Sequence, residues 1–269
     1  MNEYKKMLCN AIFSSKVSVE RSDGTEEVKE AFNTDYNILT DGKISPFKID
    51  ASIISSNTKN RDIIIEALTS KVENLIQQKY PDSQIAQLTN AYIVSSESSG
   101  IFWGSIVASD LFLPFGLVRK NGQFSGAIPK DSVAFGVDDV YTSLNTARRV
   151  TNVTRREGAT IENILVIVDR QEYDPGVPEK LGINLNSLLT VKDDILPYGL
   201  ENQNISAQLY EDIQAYYRDE IEFTIRALQS QGRTLKQHPR WSLFKKHYNE
   251  NFQISQIINE LEYVPGTMD

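Results

Sequence analysis

Apolar positions along this chain change their period twice. Over residues 61–79, Ile64, Leu68, Val72, Leu75 and Ile76 form one stripe, which predicts an amphipathic helix. Ahead of it, residues 1–35 read as an opening helix and a polar loop around Ser22-Asp23-Gly24. Tyr36-Asn37-Ile38-Leu39, a turn at Asp41-Gly42 and the alternating Phe47-Lys48-Ile49-Asp50 read as extended chain. From residue 91 short apolar runs alternate with helical stretches. Runs at 91–94, 114–118, 132–137, 164–168 and 185–189 predict strands, with helices over 101–112 and 145–157 between them. Strand–turn–helix units repeated in this way imply a doubly wound, mostly parallel α/β sheet. In the tail, Ile205, Leu209, Ile213, Tyr217, Ile221, Ile225 and Leu228 predict one long amphipathic helix. A break over Gly232 to Pro239 follows, then a second helix over 241–262. The expected domains are an α/β domain over 1–198 and an all-α extension over 199–269.

Composition narrows the function. With 28 Lys and Arg against 36 Asp and Glu, the net charge is −8, which disfavours a broad nucleic-acid face. Cys9 is the single cysteine, so no internal disulfide or cysteine-rich metal site forms, in keeping with a reducing, cytoplasmic setting. The only histidines are His238 and His247, so a histidine base in the main body is excluded. No run approaches the roughly 18 apolar residues of a membrane helix, and no membrane association is expected.

Candidate chemistry gathers at strand ends, where parallel sheets bind ligands. The most specific segment is Val133-Ala134-Phe135-Gly136-Val137-Asp138-Asp139-Val140-Tyr141-Thr142-Ser143. A strand delivering two carboxylates suits ribose hydroxyls, and a turn leading into a helix offers backbone N–H groups to a phosphate. The competing reading is two surface aspartates serving as a helix cap. Arg148, Arg149, Arg155 and Arg156 make a basic helix face, and Lys236 to His247 with Trp241 and Phe244 make a basic–aromatic cluster. Solvated charge and ordinary packing explain both more simply than a nucleic-acid contact does.

The acidic segment resembles the phosphoribosyl-pyrophosphate signature of type I phosphoribosyltransferases. Leu39 to Phe47, Leu113 to Lys120, and Gly158 through Val168-Asp169-Arg170-Gln171-Glu172 to Thr190 resemble, in the same order, segments of the orotate branch. The resemblance covers about residues 36–196 and implies the type I fold. It also implies transfer of a phosphoribosyl group from phosphoribosyl pyrophosphate to a pyrimidine base, with Mg²⁺ held mainly by the substrate, in a homodimer.

Carried over by resemblance, Asp138 and Asp139 match the ribose-binding acids, and Arg119 and Lys120 the basic pair at pyrophosphate. Thr142, Ser143, Asn145 and Thr146 match the 5′-phosphate loop, and Ser98, Ser99 and Gly100 the loop that wraps pyrophosphate. Arg170 matches the arginine facing the pyrimidine, and Phe47 the aromatic beside the base.

This chain departs from the pattern in three places. Leu144 stands where the family has glycine, and its side chain is expected to intrude where phosphate meets backbone. Asn121 to Gly126 is shorter than the family's mobile loop and lacks its lysine and histidine. Thr40 replaces a lysine. Two functions therefore compete: a phosphoribosyltransferase, and a nucleotide-binding or assembly subunit that kept the fold and uses the helical tail as a partner surface.

Overall fold

The computed structural model describes residues 1–39, 41–81, 90–97 and 100–262. In chain order these form α1 (Glu3–Ser14), β1 (Lys16–Glu20), β2 (Glu26–Glu30), β3 (Phe32–Asn33), β4 (Asn37–Ile38), β5 (Ile44–Ser45) and β6 (Lys48–Ile49). Next come α2 (Ala51–Ser56), α3 (Thr58–Lys79), β7 (Ala91–Ser96), α4 (Gly100–Asp110), β8 (Phe115–Val118) and β9 (Phe124–Ser125). Then follow β10 (Val133–Tyr141), α5 (Asn145–Arg156), β11 (Thr160–Asp169), α6 (Val177–Leu181) and β12 (Asn184–Thr190). A π-helical turn over Val191–Ile195 leads into α7 (Leu196–Glu201). The last helices are α8 (Ala207–Arg218), α9 (Glu220–Leu235), α10 (Trp241–His247) and α11 (Phe252–Glu262).

By internal contacts the chain divides into two compact units. Met1–Ala31 with Asp50–Glu201 make the first, and Phe32–Ile49 with Asn202–Asp269 make the second. The segment 32–49, read from sequence as the start of the α/β domain, thus groups with the tail helices.

The first unit is built on a six-stranded sheet in the order β12-β11-β10-β7-β8-β9. Every pairing is parallel except that of β8 with β9. The expected fold class, a mostly parallel α/β sheet followed by C-terminal helices, is what the structure has. β7 and the second half of β11 are buried throughout, which is why they read as continuous apolar runs. Ile64, Leu68, Val72 and Ile76 bury the predicted stripe of α3. The hairpin β1–β2, closed by the Arg21–Thr25 turn, stands where the sequence suggested only a polar loop. Val17 and Val19 alternate with polar residues over only five positions, and Val28 of β2 is exposed among charged neighbours.

In the second unit the single long helix expected over 205–228 is two. Asp219 sits at φ −150°, and its carboxylate accepts from the Glu222 N–H at 2.9 Å, capping α9 and ending α8. The break expected from Gly232 lies three residues later. Gly232 lies within α9, where a Cβ would meet Leu261 Cδ1 at 2.6 Å, so the glycine marks a close helix approach rather than a break. The helix expected over 241–262 is divided in turn, with Asn251 accepting from the Ile254 N–H. Trp241, Phe244, Tyr248, Ile254 and Ile258 share a core with Ile38 and Ile44. The aromatic half of the basic–aromatic cluster is therefore core, and Lys245 pairs with Glu262 at 2.8 Å. Among the described residues no helix is long and apolar enough to cross a membrane.

Candidate active site

Four chain ends in the first unit meet along the carboxyl edge of its sheet: those of β7, β10, β11 and β12. β10 carries the two acids side by side near its end, with their carboxyl groups close enough to interact. Asp138 is 3% exposed; its Oδ2 accepts from the Ser96 hydroxyl at 2.7 Å and its Oδ1 from the Asp139 N–H at 3.0 Å. A Cβ on Gly100, the first residue of α4, would lie 2.2 Å from Asp138 Oδ1. Only glycine lets the start of that helix rest on the carboxylate. Asp139 is partly exposed and is the acid of the pair open to a ligand.

Burial, reinforced by the neighbouring Asp139 charge, pushes the Asp138 carboxyl well above the usual carboxylate range, although the hydrogen bonds from the Ser96 hydroxyl and the Asp139 backbone N–H oppose the shift. The folded protein therefore holds this proton more tightly than the unfolded chain. The stability it contributes is full below the ordinary carboxylate pKa of about 4 and is lost as pH rises through the raised folded value. Asp138→Asn cannot ionise, so its stability relative to wild type is expected to climb as pH rises above the ordinary carboxylate pKa of about 4 toward neutrality. Urea unfolding across that range checks this; parallel curves for the two proteins would refute it.

After β10 the chain runs through Thr142 and Ser143, both partly exposed, into α5. Leu144 occupies the helix N-cap position in the left-handed region, φ 56° and ψ 9°, with no side-chain cap. Its side chain is 2% exposed and packs with Val94, Val118, Tyr141, Ala147 and Val150. The expectation that Leu144 intrudes on a phosphate is thus corrected: its side chain points into the core. The backbone takes the conformation a glycine would, so the first-turn N–H groups of α5 stay clear of it. Asn145 is exposed and donates from Nδ2 to Ser143 Oγ at 3.1 Å, and Thr146 is partly exposed beside it.

Arg119 and Lys120 open a tight hairpin rather than a long loop. The Arg119 N–H donates to the Gln123 carbonyl at 2.8 Å, the Gly122 N–H to the Arg119 carbonyl at 2.9 Å, and β9 pairs back on β8. Asn121 and Gly122, the latter at φ +79°, supply the turn. Arg119 Nε donates to Ser125 Oγ at 2.7 Å, and the Lys120 N–H to Glu97 Oε2 at 2.9 Å. Both side chains are exposed. Arg155 and Arg156, from the basic face of α5, donate to backbone carbonyls of Leu181, Gly182, Ile161 and Gly122.

At the end of β11, Arg170 is 2% exposed. Its Nε and Nη2 both reach Glu172 Oε1, at 2.8 and 2.6 Å. The sequence reading missed Glu172 as a partner; the i, i+2 opposite charges were the available signal. It also passed over Ser96, which holds Asp138.

Phe47 belongs to the second unit, fully buried, stacked on Phe32 with ring centroids 5.6 Å apart. Ser98, Ser99 and Thr40 lie outside the described residues. Among those described, no group of three or more His, Cys, Asp or Glu side chains is arranged to hold a metal ion.

An orotate phosphoribosyltransferase of Staphylothermus marinus is 32% identical over 159 residues, covering 57% of this chain and 72% of that protein. The chain belongs to the orotate phosphoribosyltransferase family. No family profile matches it. Among solved structures, orotate phosphoribosyltransferase from Aeropyrum pernix superposes with a TM-score of 0.52 at 24% identity, covering 63% of this chain and 93% of that one. UMP synthase of Leishmania donovani gives 0.62 at 17% identity, covering 80% of this chain and 42% of that one. These two likenesses bear on the fold, which is the type I phosphoribosyltransferase sheet. Against the family pattern, the edge described above keeps both acids and the arginine after β11, replaces the phosphate-loop glycine with a residue folded as one, and shortens the loop after β8.

Proposed function

We propose that this protein transfers a phosphoribosyl group from phosphoribosyl pyrophosphate to a pyrimidine base, slowly. The observation that carries the reading is the end of β10. There an accessible Asp139, a small hydroxyl turn and an uncapped helix N-terminus follow one another in a member of this family. In the proposed complex Asp139 accepts from the ribose hydroxyls, and Asp138, held by Ser96, positions it from below. Thr142, Ser143, Asn145, Thr146 and the first turn of α5 take the 5′-phosphate. A base nitrogen bonds to the ribose anomeric carbon as the bond to pyrophosphate breaks, so positive charge grows on ribose and negative charge on the leaving group.

Mg²⁺ fits this site only as a passenger on the substrate. Asp139 is the one acid of the pair open to share it, and pyrophosphate and ribose oxygens must complete its shell. When bound, it would offset charge on the departing pyrophosphate. The homodimer implied by the resemblance belongs to the same proposal.

The hairpin after β8 favours a second reading, a nucleotide-binding subunit, because it lacks the lysine and histidine that would meet pyrophosphate. Calorimetry with phosphoribosyl pyrophosphate tests what the two readings share. Asp139→Asn is expected to weaken binding at least about tenfold, the loss of roughly one charge-assisted hydrogen bond. Asp138→Asn should weaken it less. Equal binding by wild type and Asp139→Asn removes the ribose site. Steady-state pyrophosphate release then separates enzyme from subunit.

A further inference from the structure

One cation on the helix after β10 has no internal task. We infer that Arg149 binds the 5′-phosphate from the second turn of α5, adding a guanidinium to the backbone N–H groups of the first; this rests on the transfer reading above, which gives that turn to phosphate.

The four arginines of α5 have different fates in the fold. Arg155 and Arg156 donate to backbone carbonyls, and Arg148 is exposed. Arg149 is partly buried, and its Nε is shielded from water with no hydrogen-bond partner among the described residues. A donor of a charged group, desolvated and left open, costs the folded protein stability and calls for an acceptor.

Two observations place that acceptor. A helical side chain leans back over the turn N-terminal to its own Cα. For Arg149 that turn holds Asn145 and Thr146, the first residues of α5. Electrostatics gives the same position independently. Burial, with the Asp138 and Asp139 charges, pushes the Tyr141 phenol well above its ordinary range, and the Arg149 charge opposes the shift. Tyr141 immediately precedes Thr142 and Ser143. The guanidinium therefore lies alongside the turn from β10 into α5.

The chemistry of that turn suits a phosphate. The first turn of α5 carries no acidic residue, and Leu144 offers no side-chain cap, so the helix N–H groups stay open. A guanidinium adds planar, paired donors that match two phosphate oxygens. Its charge also offsets the repulsion that a phosphate meets from Asp139 nearby.

Calorimetry with orotidine 5′-monophosphate, paired with thermal scans of the free protein, tests the inference. Arg149→Met keeps an aliphatic stem and removes the charge. It is expected to weaken nucleotide binding at least about tenfold, the loss of one charge-assisted contact. The thermal midpoint should stay where it is or rise by roughly 2–4 °C, because an unpaired charge is relieved. Arg149→Lys, which restores the charge, should recover part of the affinity. Should Arg149→Met fail to fold, Arg149→Gln carries the same comparison. A purely structural role would lower midpoint and affinity together, with no recovery in Arg149→Lys. That outcome overturns the inference, as does unchanged affinity in Arg149→Met while Asp139→Asn binds more weakly; either leaves the ribose site standing. No binding by the wild-type protein removes the site itself, and the inference with it.

Discussion

Replacing Leu144 with glycine is expected to destabilise the first unit by about 2 kcal/mol and to leave nucleotide affinity unchanged. Two effects oppose each other. Removing a buried leucine side chain typically costs about 2–5 kcal/mol, including the cavity left behind. Leu144 is 2% exposed, among Val94, Val118, Tyr141 and Val150, and so falls in that class. The left-handed backbone at φ 56° gives part of this back, because glycine relieves roughly 1–2 kcal/mol of steric conflict there. The cavity wins. For a chain of this size the midpoint of thermal unfolding should fall by roughly 4–8 °C, and calorimetric scans of the two proteins would measure it. Affinity is expected to hold because the side chain does not face the phosphate turn. Tighter nucleotide binding without a loss of stability would show instead that leucine blocks the phosphate, as its place in the sequence suggested.

Phosphoribosyl transfer to orotate is expected to run at least about a thousandfold below an ordinary member of the family. Losing one preorganised donor aimed at developing charge costs roughly a hundredfold or more, and this chain lacks two, the lysine and the histidine of the loop. Arg119 Nε is bonded to Ser125, and the Lys120 backbone is pinned to Glu97 within a closed hairpin. Initial rates of pyrophosphate release, at saturating phosphoribosyl pyrophosphate and matched against a family enzyme, check the figure. Comparable rates would mean that a cation from a second copy or another segment completes the site.

The sequence by itself determined the sheet and the order of the polar residues at its strand ends. Alternating apolar runs and helical stretches over 91–190 are local signals, since a strand buried on both faces must be apolar throughout and a helix must keep one stripe. The acids 138 and 139, the turn after them and Arg170 were legible for the same reason: their order along one strand–turn–helix unit sets their order in space. The departures from the family were legible as well, because a missing lysine or glycine is a fact of sequence.

What each departure does, only the tertiary structure decided. Leu144 was read as an obstruction until the backbone turned left-handed and sent its side chain inward, into a core that Val94 and Val118 supply from other elements. Arg170 was read as a ligand group, and the fold buried it against Glu172. Asp138 and Asp139 look equivalent in the chain, yet Ser96 and Gly100, about forty residues earlier, bury one and leave the other open. Phe32–Ile49 looked like the start of the α/β domain, and Ile38 and Ile44 instead entered the core of Trp241 and Phe244. Apart from the Arg170–Glu172 pair, these outcomes depend on partners distant along the chain. Periodicity reports which residues want burial but carries no information about which neighbours bury them.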